Sequence, residues 1–89
     1  MDIWVAKTTE AKKAAGALQR LLTEEGQARV YAVGAGAVNQ AVKAIAIARA
    51  RMAAAGNDVT ARIWFDMYQE GKEERTRICF GVLALPVVG

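Results

Sequence analysis

Eighty-nine residues make a single domain, residues 1–89, and a chain of this size buries only roughly 60–65% of its unfolded surface, which disfavours a deep catalytic cleft. With 54% hydrophobic residues the chain packs as a globule and is not a disordered tail. Net charge is +3 and pI about 9.4; there is no histidine and one cysteine, Cys79, so the usual general base, the commonest metal ligand and any internal disulfide are missing.

Residues 3–5, Ile3-Trp4-Val5, read as a short first strand. The six residues from Met1 to Ala6 have no basic n-region and too short an apolar run for a signal peptide. Thr8 or Thr9 is expected to cap a helix that starts at Glu10. At 100° per residue Ala14, Ala15, Leu18, Leu21 and Leu22 share one arc of that helix, with Lys12, Lys13, Gln19, Arg20 and Thr23 on the other. Gly26 is the expected left-handed residue that ends it.

Residues 28–33 form the second expected strand, and the chain then turns through Gly34-Ala35-Gly36 into a long alanine-rich helix from Ala37 to about Ala54. The wheel puts Val38, Ala41, Val42, Ile45, Ala48 and Met52 on its inner arc and Asn39, Gln40, Lys43 and Arg51 on its outer one. Arg49 falls at the border, placed to snorkel or to meet an acid. No acid occurs between Ala35 and Ala55, and Lys43 and Arg49 interrupt the apolar run before it could span a bilayer. Gly56-Asn57 stops the helix.

Residues 59–68 and 74–83 alternate as strands of a hairpin turning at Glu70-Gly71. That turn pairs Gln69 with Lys72. It sets Ile63 opposite Ile78, Ala61 opposite Phe80 and Val59 opposite Val82. On the other face it sets Trp64 against Arg77 as a cation–π pair, Asp66 against Arg75 as an ion pair, and Cys79 against Arg62. Pro86 ends the last strand, and Val87-Val88-Gly89 is a tail.

The expected architecture is therefore an α/β two-layer sandwich of order β-α-β-α-β-β. Right-handed crossovers make the first three strands parallel, with the fourth antiparallel beside the third. Both helices cover one face, and Arg62, Trp64, Asp66, Tyr68 and Arg77 lie on the uncovered face or under a partner.

Gly34-Ala-Gly36 is an incomplete phosphate loop. A third glycine, an acid about 20 residues on and a Walker lysine are all lacking. Its expected role is a sharp structural turn whose helix N-terminus can still contact an anion. Asn39, Gln40 and Lys43 suit contacts to nucleic-acid phosphates or base edges, or an ordinary solvated face or a seam between protomers. Lys7, Lys12 and Lys13 surround the first strand-to-helix turn. Residues 1–62 hold nine Lys/Arg against five acids, and residues 63–89 three against four, so the positive excess belongs to the helical layer. Trp64, Tyr68 and Arg77 could stack bases, although cross-strand packing or a dimer contact is the commoner use. Cys79 has no activating neighbour. The paired acids Glu24-Glu25 and Glu73-Glu74 have no apolar setting. No catalytic activity, metal or cofactor is expected.

The run Ala32-Val-Gly-Ala-Gly-Ala-Val-Asn-Gln-Ala-Val-Lys-Ala-Ile-Ala-Ile-Ala-Arg49 resembles closely the signature of the stage V sporulation protein S family. Ala15-Gly-Ala-Leu18 and Glu73-Glu-Arg-Thr76 also match, and the resemblance spans nearly the whole chain. It implies an Alba-like fold with mixed sheet order 1-2-4-3, a dimeric habit, nucleic-acid binding and a regulatory role in sporulation or cell division. Where the family carries a serine-rich segment with a proline, this chain reads Ala6-Lys-Thr-Thr-Glu-Ala-Lys-Lys13. Lys7 suits the lysine that Alba proteins place on the duplex after the first strand. The hairpin tip Glu70-Gly-Lys-Glu-Glu74 is acidic, so the groove-reaching role of the Alba arms is not carried over.

The resulting expectation is a cytoplasmic, non-catalytic homodimer or higher oligomer that binds DNA or RNA through Lys7, Lys12, Lys13, Asn39, Gln40 and Lys43. Gly34 and Gly36 would serve as turn or anion contact, and no membrane or small-molecule partner is expected. The alternative is a protein–protein assembly module with no nucleic-acid partner.

Overall fold

The computed structural model describes residues 2–87. Its elements are β1 (Asp2–Val5), α1 (Ala11–Glu25), β2 (Gln27–Ala32), α2 (Ala35–Ala53), β3 (Asn57–Glu70) and β4 (Glu73–Pro86). One four-stranded sheet runs in the order β1-β2-β4-β3, with β1 parallel to β2 and β4 antiparallel to both β2 and β3. The first three strands thus point one way and the fourth opposes them. Both helices pack on one face, and the core between the layers is built on Leu18, Val30, Phe80 and Val82.

Helix α1 buries Ala14, Ala15, Leu18, Leu21 and Leu22, the arc its periodicity marks, and ends at a left-handed Gly26. Its start differs from expectation. Glu10 occupies the cap position without a side-chain hydrogen bond, and neither Thr8 nor Thr9 caps. Thr9 is already engaged, because its Oγ1 accepts the Ala6 N–H at 2.8 Å and its own N–H donates to the Ala6 carbonyl at 3.0 Å. The hydroxyl closes the turn before the helix and cannot also cap it.

Helix α2 is rotated from the expected setting. Ala37, Ala41, Ala44, Ala48 and Met52 are buried, whereas Val38 and Ile45 are half-buried and Val42 is 49% exposed. Alanines let the helix axis approach both α1 and the sheet closely, so the branched residues move to the flank that faces β3. That flank is fixed by Arg49, whose Nε donates to Asp58 Oδ1 at 2.8 Å. The same carboxylate accepts the Val59 N–H, and these contacts, the arginine first, hold Asp58 below the usual carboxylate range.

The hairpin register is two residues from the expected one. Glu70 pairs with Glu73, so the turn residues are Gly71 and Lys72 and not Glu70 and Gly71. Gly71 takes a φ of +63° while Lys72 does not, which is the pattern of a II′ turn, where the first central position needs glycine. The pairs become Ile63 with Phe80, Ala61 with Val82, Val59 with Ala84, Trp64 with Cys79, Arg62 with Gly81 and Asp66 with Arg77. A slip of two keeps every side chain on its own face, so the faces stand while the partners change. Of the C-terminal tail, Val87 is exposed and its N–H donates to the Gly56 carbonyl at 2.9 Å; Val88 and Gly89 lie outside the described residues.

The uncovered face is crossed by a row formed by Trp4, Tyr31, Cys79 and Trp64. Arg77 does not sit on Trp64 as expected. Its guanidinium lies 4.1 Å from the Tyr31 ring centre and 5.3 Å from that of Trp4. It also grips both carboxylate oxygens of Asp66. That fork, more than any other influence, pulls the Asp66 carboxyl down and pushes Arg77 up. Tyr68 meets Trp4 edge-on at 5.8 Å, although the two stand on opposite edges of the sheet, so the twisted hairpin arches over this face. Burial pushes the Cys79 thiol up.

Candidate nucleic-acid interface

Polypeptide geometry brings the loop after β1 onto the first turn of α2. Gly34 starts that turn with a φ of +89°, a backbone setting a side chain resists. At Gly36 a Cβ would lie only 2.9 Å from the Cβ of Lys7, so the glycine is what lets the lysine root settle on the helix. Gln40 completes the seam by donating from Nε2 to the Thr9 carbonyl at 2.7 Å. The free N–H groups of α2 and the root of the Lys7 side chain therefore sit at one place, within reach of a lysine ammonium, an arrangement that attracts an anion.

Gly36, Asn39 and Lys43 follow one another along a single line of α2, each separated by about one turn. Asn39 and Lys43 are exposed, and with Lys7 beside Gly36 they form one strip across the helical layer. Lys12 is exposed on the flank of α1 that faces α2. The same flank carries Thr23, whose hydroxyl reaches Met52 Sδ at 3.9 Å. Lys13 stands on the crest of α1 and is tied to Glu10 at 3.6 Å, both ends well exposed. Such an exposed pair holds weakly and opens readily for another anion.

Of the residues marked in the sequence, the structure thus joins Lys7, Gly36, Asn39 and Lys43 in one strip. It sets Lys12 near that strip, and it commits the Gln40 amide to the loop instead of leaving it free. Thr9 is a residue that sequence reasoning assigned elsewhere; its role depends on a carbonyl, which no side-chain pattern reveals. On the opposite side of the molecule Arg77, Tyr68 and Trp4 are engaged with one another and with Asp66 and Tyr31.

A third feature lies on the flank of α2 over β3. Both strands of the hairpin have 14 residues against four in β1 and six in β2, so the arm overshoots the helices and the molecule measures 50 × 21 × 18 Å. Ile63, Phe65 and Met67 of β3 point to the helix side where no helix covers them, with exposures of 63%, 69% and 49%. Val42 continues this apolar surface from α2. Among the described residues, no helix is long and apolar enough to cross a membrane.

Comparison with known proteins agrees with this fold. The chain is similar in fold to Alba from Thermoplasma volcanium, with a TM-score of 0.63 and 13% identity over 96% of this chain and 99% of that one. At that identity the likeness is one of fold. The family model for stage V sporulation protein S matches residues 2–85. A small β-α-β-α-β-β domain with this glycine turn and alanine-rich helix, matched over nearly its whole length, belongs to the stage V sporulation protein S family.

Proposed function

We propose that this protein binds DNA or RNA through its helical layer, as a non-catalytic dimeric regulator acting in sporulation or cell-division control. The observation that carries the reading is the seating of Lys7 on the first turn of α2, in line with Asn39 and Lys43 and with no acid in that helix. Gly34 and Gly36 shape the anion contact, Lys12 and Lys13 extend it along α1, and Gln40 holds the loop in place.

The test is fluorescence anisotropy with duplex DNA and with single-stranded RNA at several salt concentrations. If about four phosphates are neutralised, log K falls against log salt with a slope of about −3 to −4. Lys7→Glu and Lys43→Glu each weaken binding and flatten the slope. Absence of binding at low salt, or binding indifferent to Lys7→Glu, overturns the reading.

The exposed surface of Val42, Ile63, Phe65 and Met67 favours a second copy of the chain as its occupant, which would bury what one short protomer leaves bare. It equally supports the alternative of an assembly module without nucleic acid. Light scattering on nuclease-treated protein separates the two: association that persists while anisotropy stays flat selects the assembly module.

A further inference from the structure

Strand β3 forms the long margin of the sheet, with 14 residues and a hydrogen-bonded neighbour, β4, on one side only. Its sequence NDVTARIWFDMYQE holds neither proline nor lysine, the residues that commonly blunt such an edge. The Gly71-Lys72 turn closes on Glu70 and Glu73, which in a two-residue hairpin exchange both backbone hydrogen bonds. Even-numbered residues of β3 therefore bond to β4, and odd-numbered ones turn their N–H and C=O groups outward. Two contacts agree with this parity. The Ala84 N–H, on the far side of β4, donates to the Gly26 carbonyl, and the Val59 N–H donates to the Asp58 carboxylate instead of to a strand. Asp58 thus closes the base of the edge. Beyond it, the outward backbone groups of Ala61, Ile63, Phe65 and Met67 bond nothing outside the hairpin among the described residues, and all four side chains are exposed.

A bare edge is completed by another strand, and a second copy of this one is complementary to it in one register. With the two strands antiparallel and the two-fold axis at Trp64, Ile63 faces Phe65 of the second copy, Ala61 faces its Met67, and Arg62 faces its Asp66. Arg62 has no ion pair within its own chain among the described residues. Asp66 already holds Arg77, yet an ionised carboxylate offers about four acceptor positions and can take a second guanidinium. Moving the axis to Arg62 or Asp66 sets a charge against its own copy. Moving it to Ile63 or Phe65 leaves Arg62 opposite Trp64 or Tyr68. At the ends of the seam Asp58 comes opposite Glu70, but each already has an arginine of its own, Arg49 and Arg75. In this register the arm that overshoots its own helices runs beside the base of the other β3, toward the exposed Val42 of that copy.

We propose that two copies join edge to edge along β3, in register about Trp64, to make one continuous sheet. The proposal rests on the reading above that a second copy covers this flank, and it gives that contact its geometry. About eight backbone hydrogen bonds cross the seam. Because the axis stands normal to the sheet, both helical layers remain on one side, and the strips of Lys7, Asn39 and Lys43 from the two copies face the same way. The other margin, β1, has four residues and offers no comparable seam, so this contact closes at a pair.

The experiment uses the full chain after nuclease treatment. Amide hydrogen exchange is followed by NMR at protein concentrations below and above the association seen by light scattering. On association the amides of Ala61, Ile63, Phe65 and Met67 should slow at least about tenfold, while the even-numbered amides between them, already bonded to β4, change little. Single cysteines at positions 63, 64 and 65 in a Cys79→Ala background then read the register under mild oxidation. Residues directly opposite on the axis stand about 4.5 Å apart between Cα atoms, within disulfide range, whereas diagonal ones stand about 7–8 Å apart. Trp64→Cys should therefore cross-link fastest. Phe65→Pro removes an outward N–H that serves no bond within the chain, so it should abolish association in a protein of native circular dichroism and weaken polymer binding at least about tenfold in anisotropy. Lys7→Glu should weaken polymer binding and leave association unchanged. Association without polymer binding sinks the polymer reading and leaves this one standing. Association with unprotected odd-numbered amides, or with faster cross-linking at 63 or 65, overturns the seam but not the second copy. A chain that stays single at every concentration overturns both.

Discussion

Gly36→Ala and Gly16→Ala make the same chemical change in two helices and should move stability in opposite directions. At Gly16, on the exposed side of α1, a Cβ would meet nothing within 4 Å. The substitution then only removes backbone freedom from the unfolded chain and should stabilise by about 0.5–1 kcal/mol. At Gly36 the same methyl lies 2.9 Å from Lys7 Cβ, an atom next to the backbone that cannot swing aside as a lysine tip could. Overpacking of this kind costs about 1–3 kcal/mol, which exceeds the gain in helix propensity. Relief requires the loop to lift from α2, stretching the 2.7 Å bond from Gln40 to Thr9, so polymer affinity should fall with stability. For a domain of this length 1 kcal/mol shifts the melting temperature by about 4–8 °C. Thermal melts at one fixed protein concentration should therefore place Gly16→Ala above the parent and Gly36→Ala below it. If both variants melt above the parent, propensity alone governs these positions, and the loop is not seated on the helix as described.

Phe80→Ala should remove about 3–5 kcal/mol, since the ring is 2% exposed at the centre of the core, and urea midpoints will measure it. Phe65→Asp should leave the protomer folded while reducing the mass found by light scattering, because this ring is 69% exposed on the bare flank of the arm; an unchanged multimer would place the contact elsewhere. Asp66 is held below its ordinary value of 3.8 chiefly by the Arg77 fork, so its contribution is present above that value and lost as pH falls through the depressed one. Stability measured from about pH 5 down to about pH 2 should therefore drop less steeply in Asp66→Asn than in the parent; equal slopes would contradict the assignment.

Much of this architecture is legible in residue spacing. The inner arc of α1 follows from five apolar side chains at helical intervals, because nothing competes with them for the core. The inner arc of α2 does not, because alanine and valine weigh differently on a wheel. The wheel favours the larger groups, whereas packing against two neighbours at once favours the smaller ones, and Val42 loses its place to Ala44. The hairpin was visible from alternation, yet its register depended on which central turn position Gly71 occupies. An error of two there displaced Arg77 from Tyr31 and Trp4 to Trp64. Near the candidate interface the lysines were visible as charge, but the contacts of Lys7 with Gly36 and of Gln40 with Thr9 bring together segments that only the folded topology makes neighbours.

The reach of Tyr68 to Trp4 ties the most distal part of the arm to the opening strand of the chain. With only four residues and one hydrogen-bonded neighbour, β1 is held at the sheet margin largely by side chains, Val5 in the core and Trp4 against Tyr31 and Arg77. The Tyr68 contact adds a further anchorage, and it can close only after the long-range hairpin has formed and coiled. Shortening the arm past Asp66 would thus loosen the beginning of the chain as well as its far end, and the two should fray together.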